Sequence, residues 1–410
     1  MPAGQWTVVS SLTPGFGTLS GTAGALTTLL DQLLVNGNTA QSVTSITRSG
    51  TTATSTTSAT HGFWDSTNGT GQYFYVTIAG AAQSDYNGTF LALATGTTTF
   101  TYTVANSPTT PATGTITWQI PGFGWSTAFT GTNKRMYLNG AGAVSRRYFK
   151  VRDDAGGTGG AKEALIRGFV TVGDVDGTVN TLPFPTNAQS ALTANCLVLR
   201  KSTTADATAR SWVACGDDRT LHLFILTGDV ASSYFCYHFG EYTSYIASDP
   251  TGSLISGGIA ENSGTAANAS GAALRLLVAG GVEVGTANTG CYTCGDNAGF
   301  NNSTAFGAAA HMATSTTQLG GNISYPNLGD GGLYLAEIPI YRNNASSPAF
   351  VGKLRGLRCP MHPTASFTDR QIFNGSGELA GRQFLMLKTA NPQSCLGTLA
   401  IETTLPDYSV

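Results

Sequence analysis

Residues 24–37 read Gly24-Ala-Leu-Thr-Thr-Leu-Leu-Asp-Gln-Leu-Leu-Val-Asn-Gly37, and they mark where a helix gives way to β structure. Leu26, Leu29, Leu30, Leu33 and Leu34 recur at i, i+3, i+4, i+7 and i+8, a single stripe on a helix of 3.6 residues per turn. The spacing predicts about three to four turns. Ser20 or Thr22 is placed to cap the start, and Asn36-Gly37 supplies a left-handed stop. Such a stripe must be covered. A sheet of the same chain is the expected cover, and a neighbouring copy is the alternative. The five leucines are therefore the candidate assembly residues.

Beyond Gly37 the period changes from helical to alternating. Ser42–Thr47 and Thr51–Thr57 are β-branched runs, Tyr73–Ile78 is a clear strand, and Thr89–Ala94, Thr98–Val104 and Gly114–Trp118 follow. Ser49-Gly50, Asn68-Gly69, Asn87-Gly88 and Asn106-Ser-Pro108 punctuate them as turns. Six short strands at roughly 8–12-residue spacing are the signature of a small β-sandwich. Residues 41–119 are thus expected to form an immunoglobulin-like module inserted into a larger domain built from 1–40 and 120–410.

The larger part also reads as β. Arg147–Arg152, Ala164–Val170, Cys196–Leu199, Ser211–Ala214, Thr220–Leu226, Leu333–Leu335, Gly381–Leu387 and Leu399–Glu402 are strand-like, with Asp217-Asp218 as a hairpin turn. Residues 257–332 are rich in Gly, Ala, Asn and Ser, and long loops are expected there. The fold class is mainly β: a β-sandwich-type main domain, one N-terminal amphipathic helix and the inserted module.

Composition narrows the function classes. Of 410 residues, Lys and Arg supply 21 and Asp and Glu 23, so charged residues are 11% against a usual level of about 25%. Only Asp31, Arg48, Asp65 and Asp85 are charged within residues 1–133. This segment is expected to be either contacted by other subunits or covered by hydroxyl groups. A net charge of −2 gives no field that gathers nucleic acid or anionic membrane. Aromatics at 10% argue against disorder, and no run of about 18 apolar residues predicts a membrane span. Residues Met1–Ser10 lack the basic and apolar regions of a signal peptide. Seven cysteines (196, 215, 236, 291, 294, 359 and 395) make an odd set, and a disulfide framework is not expected.

The motifs that carry chemistry elsewhere are incomplete here. Cys291-Tyr-Thr-Cys294 has metal-ligand spacing, but no second pair follows it, so structural thiols are expected. Asp174-Val-Asp176-Gly177 starts like a calcium loop without its later ligands, and an Asp-Gly turn is expected. Cys215, Asp217 and His222 lie close in sequence, yet hairpin alternation does not bring all three together, and His222 and His238 read as structural histidines. Asp153-Asp154, Asp217-Asp218 and Glu261 are acids from which no catalytic pair is singled out. The basic runs Arg146–Arg152 and Lys353–Arg358 are expected to pair with acids or face water. Trp6, Trp64, Trp125, Tyr242 and Tyr245 are core candidates, with sugar stacking as the alternative.

The opening Pro14-Gly-Phe-Gly-Thr-Leu-Ser-Gly-Thr-Ala-Gly-Ala-Leu…Leu-Leu-Val-Asn-Gly37 resembles the start of a family of virion structural proteins of tailed bacteriophages. In that family the stretch leads into a small β module, which resembles Ala59-Thr-His-Gly-Phe63, Tyr86-Asn-Gly-Thr-Phe90 and Thr99-Phe-Thr-Tyr102. Gly124-Trp125, Phe129-Thr-Gly-Thr-Asn-Lys134, Arg167-Gly-Phe169, Phe184-Pro185, Gly216-Asp-Asp-Arg219 and Phe239-Gly-Glu-Tyr-Thr-Ser244 continue the likeness. Gly352–Leu357 and Leu379–Leu385 fit more loosely, and Asp218 and Glu241 stand where the family pattern has Gly and Asp. The resemblance implies a non-enzymatic tail, baseplate or tail-fibre component without cofactors or metal. Its place is the virion, after synthesis in the host cytoplasm. The implied partners are other virion proteins and copies of itself, with a host receptor or glycan as a further partner, and neither nucleic acid nor membrane insertion. A head decoration or head-fibre protein and a carbohydrate-binding or carbohydrate-cleaving fibre tip are the alternatives.

Overall fold

The computed structural model describes residues 5–63, 69–140, 142–157, 159–185, 187, 196–228, 234–258, 289–294, 324–344, 347–390 and 396–404. Hydrophobic alternation, broken by turns, makes antiparallel strands the dominant element among the described residues. The largest sheet has twelve strands. From edge to edge it runs Thr7–Ser10, Trp212–Gly216, Thr220–Ile225, Phe235–Glu241, Ser253–Gly258, Leu197–Arg200, Glu163–Phe169, Tyr148–Arg152, Lys134–Leu138 and Ser126–Gly131. Pro183–Phe184 and Thr289–Thr293 pair beside this path. A six-stranded sheet is built from Thr243–Ser244, Ser347–Pro360, Leu396–Glu402, Gln383–Ala390 and Ile372–Asn374, with Leu335–Asn344 paired to Ser347–Pro360.

The middle of the large sheet is buried on both faces. Alternation along its strands sends Val9, Ala214, Leu221, Leu223, Ile225, Tyr237 and Ile255 into one apolar cluster. It sends Val8, Val213, Cys215, Phe224, Cys236 and Leu254 into another. The second cluster also holds Ile338, Leu357, Leu385, Leu399 and Ile401 of the small sheet, so the two sheets pack face to face as a sandwich. The first cluster holds all five stripe leucines, each at most 2% exposed. The expected intrachain cover is therefore the observed one, and the stripe leaves no surface for a neighbouring copy. Burying it contributes about 2 kcal/mol per leucine, as an upper bound.

The helix itself differs from expectation. It is α-helical over Ala25–Leu30 and continues as a π-helical segment over Asp31–Asn36. Neither Ser20 nor Thr22 caps it; Gly24 occupies the cap position with a φ of 82° and no side-chain bond. Asp153, 127 residues away, does that work, its Oδ2 accepting from the Leu26 N–H at 2.8 Å. The other Asp153 oxygen is ion-paired with Lys201, both side chains wholly buried, and Lys201 Nζ also donates to Thr22 O at 2.7 Å. Burial pushes the Asp153 carboxyl up and the Lys201 ammonium down, against the pull of each on the other.

The six strands between residues 41 and 119 close differently from the expected sandwich. Gln41–Ser49, Thr52–Thr57, Thr99–Thr103, Gly88–Ala94, Tyr73–Ala81 and Gly114–Gln119 pair in that order into a closed six-stranded barrel. The expected immunoglobulin-like sandwich would keep two facing sheets; here Gln41–Ser49 pairs with both Thr52–Thr57 and Gly114–Gln119 and closes the ring. His61, Phe63 and Phe74 stack in its core, and Phe100 meets Phe74 edge-on. Chain entry and exit are held together, since Asn38 Oδ1 accepts from Ile120 N at 2.7 Å. The outer face carries exposed Ser42, Thr44, Thr47, Ser49, Thr103 and Thr115, so hydroxyl groups supply the polarity that charge does not.

The expected loops at 257–332 lie largely outside the described residues, and Thr289–Thr293 within them is a strand.

Gly356 tests the sandwich packing. Its φ is 65°, and a Cβ there would lie 2.3 Å from Trp6 Cζ2. Gly356→Ala is expected to lose about 2–4 kcal/mol in urea unfolding. Gly50→Ala, with φ 60° and open space around it, is expected to lose only about 1–2 kcal/mol.

Candidate functional site

The Gly216-Asp-Asp-Arg219 turn joins two strands of the large sheet, and a polar network is built on it. Asp217 Oδ1 accepts from Arg219 N at 2.9 Å and Thr220 N at 3.0 Å, which sets the turn. Asp217 Oδ2 accepts from Arg355 Nη2 of the small sheet at 2.6 Å, with both side chains at most 2% exposed. The Arg355 carbonyl faces His222 Nε2 at 2.9 Å. His222 Nδ1 faces His238 Nδ1 at 3.1 Å, and His238 Nε2 faces Gly240 O at 3.3 Å. The strand register dictates this, because Cys215, His222 and His238 stand directly opposite one another on adjacent strands. The Trp6 ring meets His222 edge-on at 5.9 Å.

Burial decides the protonation states. It lowers His222 to about 3 and holds His238 far below the usual histidine range, with Arg355 adding repulsion to both. Burial also pushes the Cys215 and Cys236 thiols well up, so neither is an activated nucleophile. Cys215 and His222 do share a face, closer than the sequence suggested, but His222 spends its nitrogens on Arg355 O and His238.

Beside the network lies a cleft of about 200 Å³, lined by Val144, Arg219, Glu241, Ile246, Asp249 and Arg355 among others. Its inner polar groups are engaged by the protein itself. Glu241 accepts from Ser145 N, Asp249 Oδ2 accepts from Ser244 Oγ at 2.8 Å, and Arg355 holds Asp217. Burial raises Glu241, and the Ser145 bond and the Arg355 charge oppose the rise.

The remaining candidates are dispersed. Cys294 is buried and accepts from Arg147 Nε at 3.3 Å; Cys291 stands opposite Ser256 in register. Among the described residues no cluster of three or more His, Cys, Asp or Glu is arranged to hold a metal. Asp174 caps its own turn by accepting from Thr178 N at 2.7 Å. Asp153 belongs to the helix anchor, Asp154 pairs with Arg152 at 2.8 Å, and Glu261 lies outside the described residues. In the basic runs, Lys353 pairs with Glu337 at 2.9 Å and Arg355 with Asp217. Trp6, Trp125 and Tyr242 are core, Tyr245 is 44% exposed, and Trp64 lies outside the described residues. No helix among the described residues is long and apolar enough to cross a membrane.

No family model matches the chain, and no curated protein matches it.

Sequence reasoning placed His222 and His238 in strands as structural histidines. It missed that Arg355, 138 residues from Asp217, completes the network. No local signal marks such a pairing.

The burial predicts two solution results. The His222 and His238 Cε1–H resonances should hold constant shifts from pH 8 to about 5.5, while an exposed histidine would titrate near 6.5. Cys215 and Cys236 should resist thiol reagents in the native protein and react on unfolding.

Proposed function

We propose that this chain is a non-enzymatic structural component of a tailed-phage virion, placed in the tail, baseplate or tail-fibre region. Its partners are other virion proteins and copies of itself. One observation carries the reading: motifs that resemble the phage family, far apart in sequence, meet at one buried corner. Trp125 Nε1 donates to Asp217 O at 2.8 Å. Glu241 N donates to Arg219 O at 3.0 Å. Gly240, with a φ of 111°, lets its backbone pass where a Cβ would lie 2.2 Å from Arg219 O. These residues fix backbone geometry and expose no reactive group. Shared motifs that specify a scaffold fit a protein whose work is geometric, burying surface against neighbours.

A hydroxyl-covered barrel suits the same role. It keeps the surface wet without long charged side chains whose ordering costs entropy at a contact. The carbohydrate-binding alternative has less support, since of the described aromatic candidates only Tyr245 is exposed.

Quantitative mass spectrometry of purified particles tests the proposal. The chain should be present in a small symmetric set of copies matching tail symmetry. A count on the order of hundreds would move it to the head, and its absence from particles would refute the structural role.

A further inference from the structure

Leu328 is 94% exposed, the highest value for any large apolar side chain among the described residues. The turn that carries it is built around it. Asn327 Oδ1 accepts from Gly329 N at 2.7 Å, and Asn327 O accepts from Gly331 N at 2.7 Å, with Gly331 at a φ of 72°. Asp330 Oδ1 accepts from Gly332 N at 2.8 Å, and its Oδ2 accepts from Tyr334 Oη at 2.6 Å. Below the turn, buried His362 clamps both stems. Its Nε2 accepts from Tyr334 N at 2.7 Å, and its Nδ1–H then donates to Ser324 O at 3.1 Å. Tyr325 packs against His362, Phe367 and Phe373 with ring centroids 5.3–5.4 Å apart. The leucine is thus held out into water on a prepared support.

A hole that suits it lies elsewhere on the same chain, at the cleft of about 200 Å³ beside the polar network. A water needs only about 10–15 Å³ of such space, so an isobutyl side chain fits. Val144 and Ile246 line the cleft and are themselves 53% and 56% exposed. The lining acids Glu241 and Asp249 are buried and turned inward, Glu241 to Ser145 N and Asp249 to Ser244 Oγ and Thr251 N. Half-buried Arg219 also lines the cleft, and exposed Arg146 lies two residues from Val144. Charge at the mouth is therefore positive. Charge beside Leu328 is negative: Asp330 is exposed, and the bonds from Tyr334 and Gly332 hold its carboxyl below the usual range and so ionised at neutral pH.

We propose that Leu328 of one copy seats in this cleft on a second copy, with Asp330 facing Arg219 and Arg146 at its mouth. The inference rests on the reading of the chain as an assembly component, and it names the self-contact within that reading. Within one chain knob and hole do not meet, since Leu328 stands in water. The contact is heterologous: a copy that offers its knob leaves its own cleft open, so copies add head to tail and either close into a ring or continue. Opposite charge at knob and mouth selects a second copy and fixes the register of the two surfaces. One side chain in one cleft is a small contact, so the isolated chain associates weakly and in a concentration-dependent way. The prepared turn lowers the ordering cost of making it.

Sedimentation velocity of the full chain tests the contact. The weight-average mass of the parent should rise with concentration. Leu328→Asp removes the knob, and Val144→Asp fills the mouth of the hole. Both positions are exposed, so both variants should keep the parent fold, as far-UV circular dichroism would record. Each variant alone should associate at least about tenfold more weakly than the parent. An equimolar mixture of the two should regain association, because the first keeps its hole and the second its knob, and it should stop at the dimer. A parent that stays monomeric up to its solubility limit overturns the proposal. So does association that either variant leaves intact, or that the mixture fails to restore. These results bear on the self-contact alone, since presence of the chain in purified particles would still support the structural role.

Discussion

The ion pair between Asp153 and Lys201 is the constraint on which the architecture depends. It lies where the helix start, the end of the Tyr148–Arg152 strand and the end of the Leu197–Arg200 strand converge. Asp153 uses one oxygen for Lys201 and the other for the Leu26 N–H, while its own carbonyl accepts from Gly24 N at 2.8 Å. Lys201 returns a bond to Thr22 O. The first turn of a helix leaves N–H groups without partners, and here a distant carboxylate supplies one. With the helix start fixed, its leucines lie against the large sheet and its end lies against the barrel connections. Phe123 N and Trp125 N bond the carbonyls of Leu33 and Leu34.

The low charge acquires a structural meaning. A chain with few ionisable groups places several of them inside, in pairs that join elements. Asp217–Arg355 crosses the sandwich, Glu163–Arg200 links neighbouring strands, and Arg382–Glu402 ties the small sheet. Buried pairs are costly to break, because removing one member strands the other in a low-dielectric site. They act as registry devices more than as net stabilisers. The surface polarity they would otherwise have supplied comes from Thr and Ser, most visibly on the barrel. Within the charge-poor residues 1–133, the barrel surface is covered by exposed Thr and Ser hydroxyl groups.

Much of this was legible in the sequence, and the failures have common causes. The barrel strands were readable because turns and alternating runs are local. Its closure was not, since it depends on pairing Gln41–Ser49 with Gly114–Gln119, and strand alternation alone does not choose between a ring and two sheets. Ser347–Pro360 lacks an alternating signal, since it contains Pro348, Gly352 and Gly356 among its charges. The helix stripe was plain, while its cap was not, because Asp153 is remote. His222 and His238 were recognised as structural, but their shared row and the cross-sheet bond to Arg355 are products of register.

A double-mutant cycle on the helix anchor tests this account most directly. Asp153→Asn, Lys201→Met and the double variant would be compared by urea unfolding monitored through tryptophan fluorescence. Each single change should lose about 3–5 kcal/mol by leaving a buried charge or a buried polar group without its partner. The double variant should be more stable than the sum of the two losses predicts, by at least about 2 kcal/mol. Strictly additive losses, or single variants within about 0.5 kcal/mol of the parent, would contradict the claim that this pair anchors the fold.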